Sequence, residues 1–373
     1  MNQRPSKSPS PPRIPHPHPH WIHSLTLDLI LRVLHRSIFH PFIAWLIPLC
    51  LRAQATPYSH TSFRVTTAYA TLLSLLLLLN VVSKRLTYGP PREVSLEDEV
   101  VVVTGGASGL GLLVAEIYGM RGVDVAVLDV RDIGTEDQGD GSEKAVEEWE
   151  EIHSVERVRE RIEKELGTPT ILINCIAAPI NGAPITSLSP AAISSTIHAN
   201  LLSYFNTLQQ FLPGILSSPT GGTIVTLSSV CSSLTPAGLS DYTATKAAIG
   251  AVHKTVEAEL RVTGDYERVK MLLVETGQMA TPLFEDVKTP NNFFAPVLEP
   301  VQVAREIVAT VDSGNGGVIR LPAYATLVNW YAVLPVAIQR LARYLSGIDK
   351  AVGEKAITSS MSVLSEKEKE AKG

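Results

Sequence analysis

The stretch that decides the fold is Val100–Gly111, with the sequence VVVVTGGASGLG. Four consecutive valines ahead of a glycine-rich turn are typical of a strand that is buried on both faces, as in a parallel sheet. The segment Leu112–Arg121 that follows has the composition of a helix. Strand, glycine turn and helix in this order bring backbone N–H groups and the positive end of a helix dipole together, which favours binding of a pyrophosphate.

Composition narrows the class of protein. Of the 373 residues, 45% are hydrophobic and 18% are charged, whereas soluble domains carry about 25% charged residues, so part of the surface is expected to face lipid. The net charge of −5 argues against a nucleic-acid partner. The three cysteines, Cys50, Cys175 and Cys231, form no CxxC pair, which argues against a disulfide framework and a cysteine-based metal site.

Further short apolar runs follow the first strand, each ahead of a turn or helix signal. They are Val123–Leu128, Ile171–Ile173, Thr223–Leu227, Met271–Val274 and Val318–Ile319. The alternation of strands with helices predicts an α/β fold built on a single, doubly wound Rossmann-type parallel sheet.

An apolar region precedes this domain. Val65–Ser83 is nineteen residues without a charge, enough for a helix of about 28 Å that crosses a membrane. Ser37–Leu51 is also uncharged but is interrupted by prolines, so it is expected to dip into the membrane beside the span and form a hairpin, with a single span as the alternative. Lys84, Arg85 and Arg92 then lie on the cytosolic side with the domain.

The chain is therefore predicted to have five segments. They are a disordered or amphipathic lead-in (1–36), a membrane-anchoring hairpin or span (37–83), a Rossmann domain (95–320), a C-terminal apolar helical extension (321–350) and a disordered tail (351–373). The extension has two interpretations, a final helix that packs on the sheet or a membrane-surface helix whose arginines, Arg340 and Arg343, point to lipid headgroups.

A phenol, an ammonium and a hydroxyl predict a proton-transfer site. Tyr242 and Lys246 stand four residues apart, on the same face of a helix. The ordinary tyrosine pKa is about 10, so proton exchange near pH 7 needs neighbouring positive charge, which Lys246 and an oxidised nicotinamide both supply. Ser229 lies thirteen residues before Tyr242, at the end of a predicted strand, where its hydroxyl can hold a substrate oxygen.

The residue after the second strand bears on the choice of nucleotide. Asp129 follows Gly111 by eighteen residues. A carboxylate there accepts hydrogen bonds from both ribose hydroxyls of an adenosine and repels a 2′-phosphate, which favours NAD. Arg131 is the alternative partner for such a phosphate, and it keeps NADP open.

Together these motifs resemble the short-chain dehydrogenase/reductase family over about residues 97–320. The family signature TGxxxGxG matches Thr104–Gly111, and its serine and YxxxK pair match Ser229, Tyr242 and Lys246. The resemblance implies an oxidoreductase that acts on CH–OH groups with NAD, or NADP, as cofactor and with no metal. The catalytic residues that it implies are Asn200, Ser229, Tyr242 and Lys246. The cofactor-binding residues that it implies are Gly105, Ser108, Gly109, Leu110, Gly111, Asp129, Glu151, Asn174, Tyr242, Lys246 and Thr281.

The resemblance also assigns roles and shows two departures. It implies that Asn200 holds a water on the lysine and that Glu151 contacts the adenine. Ala177 stands where the NNAG segment of the family ends in glycine, and Thr276 stands where its PGxxxT segment begins with proline. These departures leave two alternatives to an enzyme, namely a dinucleotide-binding protein that has lost turnover and a membrane scaffold on the same fold.

The flanking segments resemble those of the membrane-associated branch, which includes retinol dehydrogenases and 17-beta-hydroxysteroid dehydrogenases of the endoplasmic reticulum and lipid droplets. This implies a membrane location with a cytosolic catalytic domain, and it is compatible with a homodimer. The segment Pro282–Pro300, which closes over the substrate in this family, is rich in apolar residues. The expected substrate is therefore a lipophilic alcohol or its carbonyl, such as a retinoid, a sterol or a long-chain lipid.

Overall fold

The computed structural model describes residues 25–130, 152–285, 287–289 and 291–352, with side chains from Ser154 onward in the helix that begins at Ile152. The expectations for the lead-in up to residue 24, for Arg131, for the adenine contact of Glu151 and for the tail after residue 352 lie outside the described residues.

The described residues form one parallel sheet. Its strands are β1 (Val100–Thr104), β2 (Asp124–Leu128), β3 (Ile171–Asn174), β4 (Gly222–Ser229), β5 (Val269–Thr276) and β6 (Gly317–Leu321). They are hydrogen-bonded in the order β2-β1-β3-β4-β5-β6, and every pairing is parallel. Each predicted apolar run lies on one of these strands, so the predicted doubly wound α/β fold is confirmed.

Helices flank the sheet and precede and follow it. They are α1 (Leu27–Arg36), α2 (Pro41–Ala53), α3 (Thr61–Tyr88), α4 (Gly109–Gly119), α5 (Ile152–Glu165), α6 (Pro190–Ile197), α7 (Ser203–Ser217), α8 (Cys231–Leu234), α9 (Ser240–Thr263), α10 (Pro300–Asp312), α11 (Ala325–Tyr331) and α12 (Val336–Ser346). A π-helical turn, His198–Leu202, joins α6 to α7, and short 3₁₀ turns lie at Asp265–Glu267, Pro282–Phe284 and Ile348–Lys350.

The valines of β1 show how the sheet is covered. Successive side chains of a strand point to opposite faces. Val101 and Val103 accordingly join a buried cluster with residues of α4 and α10. Val100 and Val102 join a second buried cluster, with residues of α5, α7 and α9. An uninterrupted apolar run is therefore required here, because helices cover both faces of the strand.

The strand order positions the functional residues. It reverses at β1, which lies between β2 and β3. In open α/β sheets a ligand binds outside the carboxyl ends of the strands at such a reversal. The glycine turn, Asp129 and Asn174 all lie at this edge, and Ser229 pairs in register with Thr276 there. Residues far apart in sequence thus meet at one edge of the sheet.

The N-terminal helices α2 and α3 pack against each other. Trp45 Nε1 donates to Ser74 Oγ over 3.0 Å, and Tyr69 Oη donates to the Ile38 carbonyl over 2.8 Å. Among the described residues, α3 is a single helix that is long and apolar enough to cross a membrane, and 6% of its most apolar part is buried. It is longer than the predicted nineteen-residue span because the helix continues through polar residues at both ends.

The end of α3 is joined to the amino edge of the sheet. The buried Lys270 of β5 donates from Nζ to the Tyr88 carbonyl over 2.9 Å. Arg92 makes a two-pronged ion pair with Glu99 over 2.7 and 3.0 Å, and it also donates to Thr223 Oγ1. Arg92 was expected as a charge that flanks the membrane span. The structure places its side chain within the domain itself, where it is buried, and the side of the membrane on which it lies stays a prediction.

The helix α1 lies against the opposite edge. Its Leu27 N–H donates to the Phe293 carbonyl over 2.9 Å. The Asp28 carboxylate accepts a hydrogen bond from the Ala323 N–H, just after β6. The lead-in predicted for residues 1–36 therefore ends in a helix that contacts the domain, and its Leu29, Leu31 and Val33 side chains remain exposed.

The C-terminal extension consists of two helices rather than one, because α12 starts after Pro335. In α11, Ala325 and Val328 pack on Val230, while Trp330 is 70% exposed. The extension therefore combines packing on the domain with an exposed apolar surface. At Arg343 the structure favours the packing interpretation over the membrane-surface one, because its guanidinium donates to backbone carbonyls of the domain.

Candidate active site

The turn after β1 requires glycine at two of its positions. Gly105 has a φ of +66°, and a Cβ on it would lie 2.9 Å from the Ile176 nitrogen. A Cβ on Gly111 would lie 2.2 Å from the Gly105 carbonyl oxygen. The backbone therefore packs on itself where α4 begins, as predicted, and leaves the first N–H groups of that helix at the carboxyl edge of the sheet.

Asp129 is held against this turn. Its Oδ2 accepts a hydrogen bond from the Ala107 N–H over 2.9 Å. The side chain at the end of β2 therefore lies beside the backbone expected to bind a pyrophosphate. This is the position at which a carboxylate can reach an adenosine ribose.

Two buried polar groups near the turn lack partners among the described residues. Asn174 accepts from the hydroxyls of Thr104 and Thr207, but its Nδ2 has no partner. Thr281 packs over Gly109, its Cγ2 being 3.7 Å from where a Cβ on that glycine would lie, and its Oγ1 has no partner. Buried groups of this kind are rarely left unpaired, so both residues fit a polar ligand such as a dinucleotide.

The fold brings three of the four predicted catalytic side chains together. Ser229 ends β4, and its Oγ accepts from the Cys231 N–H over 3.1 Å and donates to the Thr276 carbonyl over 3.3 Å. Tyr242 and Lys246 lie one turn apart on α9. Lys246 Nζ lies 5.8 Å from the centroid of the Tyr242 ring and donates to the Leu227 carbonyl.

Burial dominates the ionisation of this group of residues. It raises the pKa of Tyr242 above its ordinary value, with a smaller increase from Cys231 and an opposing effect from the hydrogen bond to Ser229. Burial lowers the pKa of Lys246 to about 8. A depressed pKa was expected for Tyr242 from the nearby ammonium together with an oxidised nicotinamide. The protein groups alone hold it as a neutral phenol, because desolvation penalises its anion more than its neighbours stabilise it, so the expected depression stays a prediction for the cofactor-bound protein.

Asn200 lies in the π-helical turn between α6 and α7. Its Oδ1 accepts from the Ala178 N–H over 2.6 Å, and its Nδ2 donates to Thr245 Oγ1 over 2.9 Å. The side chain thus links the segment after β3 to the residue that precedes Lys246. Its role in holding a water on the lysine stays a prediction.

The sequence did not point to Asp241, which directly precedes the tyrosine. Its Oδ2 accepts from Asn181 Nδ2 over 2.6 Å and from Thr196 Oγ1 over 3.1 Å. These bonds tie the loop after β3 to the first turn of α9. The adjacency to Tyr242 was the available signal, but the partners lie 45 and 60 residues away along the chain.

The site is closed in this structure. Tyr242, Ser229 and Lys246 are each 3% exposed. The ring of Phe284 covers Tyr242 edge-on, with 6.4 Å between ring centroids. Phe284 belongs to the segment Pro282–Pro300, which we call the lid. Its apolar residues were expected to close over a substrate, and one of them lies directly on the phenol.

Comparisons with known proteins identify the family. A family model described as short chain dehydrogenase matches residues 99–292, just over half of the chain. YDL114W of Saccharomyces cerevisiae, an uncharacterized oxidoreductase, is 26% identical and covers 68% of this chain and 83% of its own. Retinol dehydrogenase 10-B of Danio rerio is 28% identical, covering 59% of this chain and 74% of its own. The 17-beta-hydroxysteroid dehydrogenase 13 of Mus musculus is 26% identical, covering 64% and 78%.

A solved structure of a short chain dehydrogenase shares the fold of this chain. A short chain dehydrogenase from Burkholderia cenocepacia J2315, solved in complex with NADP, superimposes with a TM-score of 0.52 at 20% identity. The match covers 67% of this chain and 98% of that one. The matched family, the shared sheet and the relatives named as dehydrogenases lead to one conclusion: this chain belongs to the short chain dehydrogenase family and is an NAD(P)-dependent oxidoreductase.

Proposed function

We propose that the protein is a membrane-anchored dehydrogenase that interconverts a lipophilic alcohol and its carbonyl, with NAD preferred over NADP. The observation that carries the proposal is the apolar surrounding of Tyr242. Phe284 packs on its ring, and Val230, Cys231 and Leu234 lie in the segment after Ser229. An alkyl or ring substituent is stabilised in such surroundings by about 25 cal/mol per Å² of buried surface.

Tyr242 exchanges the proton in this proposal. As a neutral phenol it donates to the oxygen of a carbonyl that is being reduced, and in the opposite direction its phenolate accepts the proton of an alcohol. Ser229 holds the same oxygen through its hydroxyl. Lys246 supplies the positive charge that stabilises the phenolate, so activity needs its ammonium form. The cofactor, when bound, accepts or supplies the hydride.

The proposed cofactor contacts follow from the unpaired groups. The backbone N–H groups at the start of α4 hold the pyrophosphate, and Asn174 and Thr281 offer the buried polar atoms that lack partners. Glu151 remains a proposed adenine contact. Asp129 sets the nucleotide preference, because a 2′-phosphate brought beside a carboxylate costs about 1–2 kcal/mol, or roughly tenfold in affinity.

The anchor is proposed to be the α2–α3 pair, either as a hairpin or with α3 as a single span. The run Leu75–Leu79 is at least 50% exposed at every position. Bilayer insertion removes this surface from water. Lys84 and Arg85 at the end of α3 would place the domain in the cytosol, on the endoplasmic reticulum or a lipid droplet. Such membranes also concentrate lipophilic alcohols near the site.

A substrate panel tests the proposal. The full chain in detergent micelles would be supplied with retinol, sterols, fatty alcohols and small polar alcohols, each with NAD and with NADP. We expect lipophilic alcohols to give the highest kcat/KM. Faster turnover of the small polar alcohols would contradict the proposed substrate class. Release of the intact protein from membranes by a carbonate wash would contradict the anchor.

The nucleotide preference has its own test. Asp129→Ala should reduce the NAD-over-NADP ratio of kcat/KM about tenfold, since the repulsion of the 2′-phosphate is lost. Asp124→Ala, which removes an exposed carboxylate at the opposite end of β2, is the matched control. A preference of the unmodified protein for NADP would contradict the assignment and would direct attention to Arg131.

A further inference from the structure

We infer that the segment Asp349–Val352, which we call the latch, closes the entrance to Tyr242 and must release before a substrate can enter. The inference requires that Tyr242 acts on an alcohol or carbonyl, as proposed above, but it does not depend on which alcohol that is. It starts from the burial of the reacting groups. A substrate oxygen must approach the Tyr242 hydroxyl to within about 3 Å, yet only 3% of that residue is exposed.

The latch contacts the three loops that surround the tyrosine. The Ala351 carbonyl accepts from the Lys288 N–H of the lid over 2.8 Å. Val352 Cγ1 lies 3.0 Å from where a Cβ on Gly182, in the loop after β3, would be. Its Cβ lies 3.3 Å from the corresponding position on Gly238, four residues before Tyr242. One short segment therefore bridges the walls of the cleft.

The two glycines make room for Val352. Gly182 has a φ of +60° and Gly238 a φ of +81°, both in the region that favours glycine. A side chain on Gly182 would crowd Val352. Val352 and Ala351 are both buried, although they lie near the end of the described chain. The valine is thus seated between the two loops rather than lying on the surface.

Arg343 fixes the start of the latch. Its guanidinium donates to the Leu234 carbonyl over 2.6 Å and to the Thr235 carbonyl over 3.0 Å, just after α8. The same group forms an ion pair with Asp349, with Nε donating to Oδ2 over 3.0 Å. The planar fork of arginine holds several acceptors in a fixed geometry. It ties the latch to the carboxyl end of α8, the short helix that carries Cys231.

The inner side of the lid is held separately. Gln278 Nε2 donates to the Val287 carbonyl, and Gln278 Oε1 accepts from Thr289 Oγ1 over 2.6 Å. Lys288, which bonds the latch, lies between these two contacts. Displacing the latch therefore removes one hydrogen bond that holds the segment whose Phe284 contacts Tyr242. The bond to the Ala351 carbonyl joins latch and lid through backbone atoms.

A reversible crosslink tests the inference. In the Gly238→Cys/Val352→Cys variant the two Cβ atoms would lie about 3.3 Å apart, close to the usual disulfide separation of about 3.5–4.5 Å. We expect oxidation to lower kcat/KM at least tenfold on the best alcohol of the panel, and a reductant to restore it. Each single variant, treated with the same oxidant, controls for oxidation of the native cysteines. Full turnover in a chain shown to be crosslinked by mass spectrometry would overturn the inference.

A second variant covers the case in which the crosslinked chain fails to fold. Arg343→Gln should release the latch and speed the labelling of Cys231, beside Ser229, by N-ethylmaleimide several-fold. Arg340→Gln, on the same helix, is the matched control. Equal labelling rates in Arg343→Gln and the unmodified chain would also overturn the inference. This readout needs no turnover, so failure of the proposed substrate class would appear in the panel while the difference in labelling persists.

Discussion

The valines of β1 and the leucines of α3 are both uninterrupted apolar runs, but only the first is covered by protein. Val100–Val103 are at most 6% exposed, whereas Leu75–Leu79 are 50–58% exposed. Helices cover β1 on both faces, while α3 packs mainly on α2. The difference shows that an apolar run predicts a segment that is covered from water, but does not predict whether protein or lipid covers it. Protein covers β1, and we propose that the bilayer covers α3.

The prediction with the largest expected effect tests whether the reaction takes place wholly within the domain that contains β1. Tyr242→Phe removes the proton-transferring group and should lower kcat/KM by about 10²–10⁴-fold. Tyr344→Phe, on the exposed surface of α12, is the control and should leave the rate unchanged. Both variants should keep the melting temperature of the unmodified protein. Near-full turnover by folded Tyr242→Phe would show that the catalytic assignment is wrong.

Arg92 lies at the boundary between the exposed helix α3 and the covered domain, so replacing it tests this boundary. Arg92→Met leaves Glu99 buried without its ion-pair partner, which typically costs about 3–5 kcal/mol, so the free energy of unfolding should fall by that amount. Lys84→Met, beyond the boundary on α3, should change it little. Denaturant unfolding in detergent measures both. A shortened soluble chain should therefore start before Tyr88, since one that starts at Glu93 also loses this ion pair.

Two leucine-to-alanine substitutions, one in each region, compare how much each leucine contributes to the free energy of unfolding. Leu172→Ala in β3 opens a cavity in a fully buried position and should cost about 2–5 kcal/mol of unfolding free energy. Leu76→Ala in α3 should change the unfolding of the domain by less than about 0.5 kcal/mol. Similar costs at the two positions would mean that α3 is covered by the domain rather than by lipid.

The smallest effect concerns a buried histidine of the domain. Burial lowers the pKa of His253 to about 4, and its Nδ1 lies 2.8 Å from Thr226 Oγ1. The unfolded chain, with an ordinary value near 6.5, binds the proton first. Stability is therefore complete above about pH 6.5 and falls as the pH drops toward 4. His253→Gln should remove about 1–3 kcal/mol of this decline, as measured by melting temperature between pH 7 and pH 4.5. An unchanged decline would mean that groups other than His253 cause the pH dependence of the stability.

Much of the domain follows from its sequence, because local patterns determine it. The valine run, the glycine turn and the Tyr242–Lys246 spacing each depend on neighbours within a few residues. Arg92 and Val352 could not be assigned in the same way. An arginine after an apolar helix is typical of a membrane flank, and only the fold brings Glu99 and Thr223 to it. Val352 lies near a charged C-terminal stretch, and its partners are 114 and 170 residues earlier.

The ionisation of Tyr242 shows a different limit. Its spacing from Lys246 correctly places an ammonium near the ring. The direction of the pKa, however, depends on how much water the fold removes, and that quantity is not local. The ammonium itself is desolvated, so its own pKa falls to about 8.

The N-terminal helices attach to the domain at two separated points. Tyr88 is bound by Lys270 at the amino edge of the sheet, and α1 is bound to the lid and to the residue after Pro322 at the carboxyl edge. An eight-residue strand such as β5 separates these edges by about 26 Å. A body fixed at one point can swivel, but a body fixed at two such points can turn only about the line between them. The domain can therefore turn relative to α3 only about that line, which restricts the directions that the entrance to its active site can face.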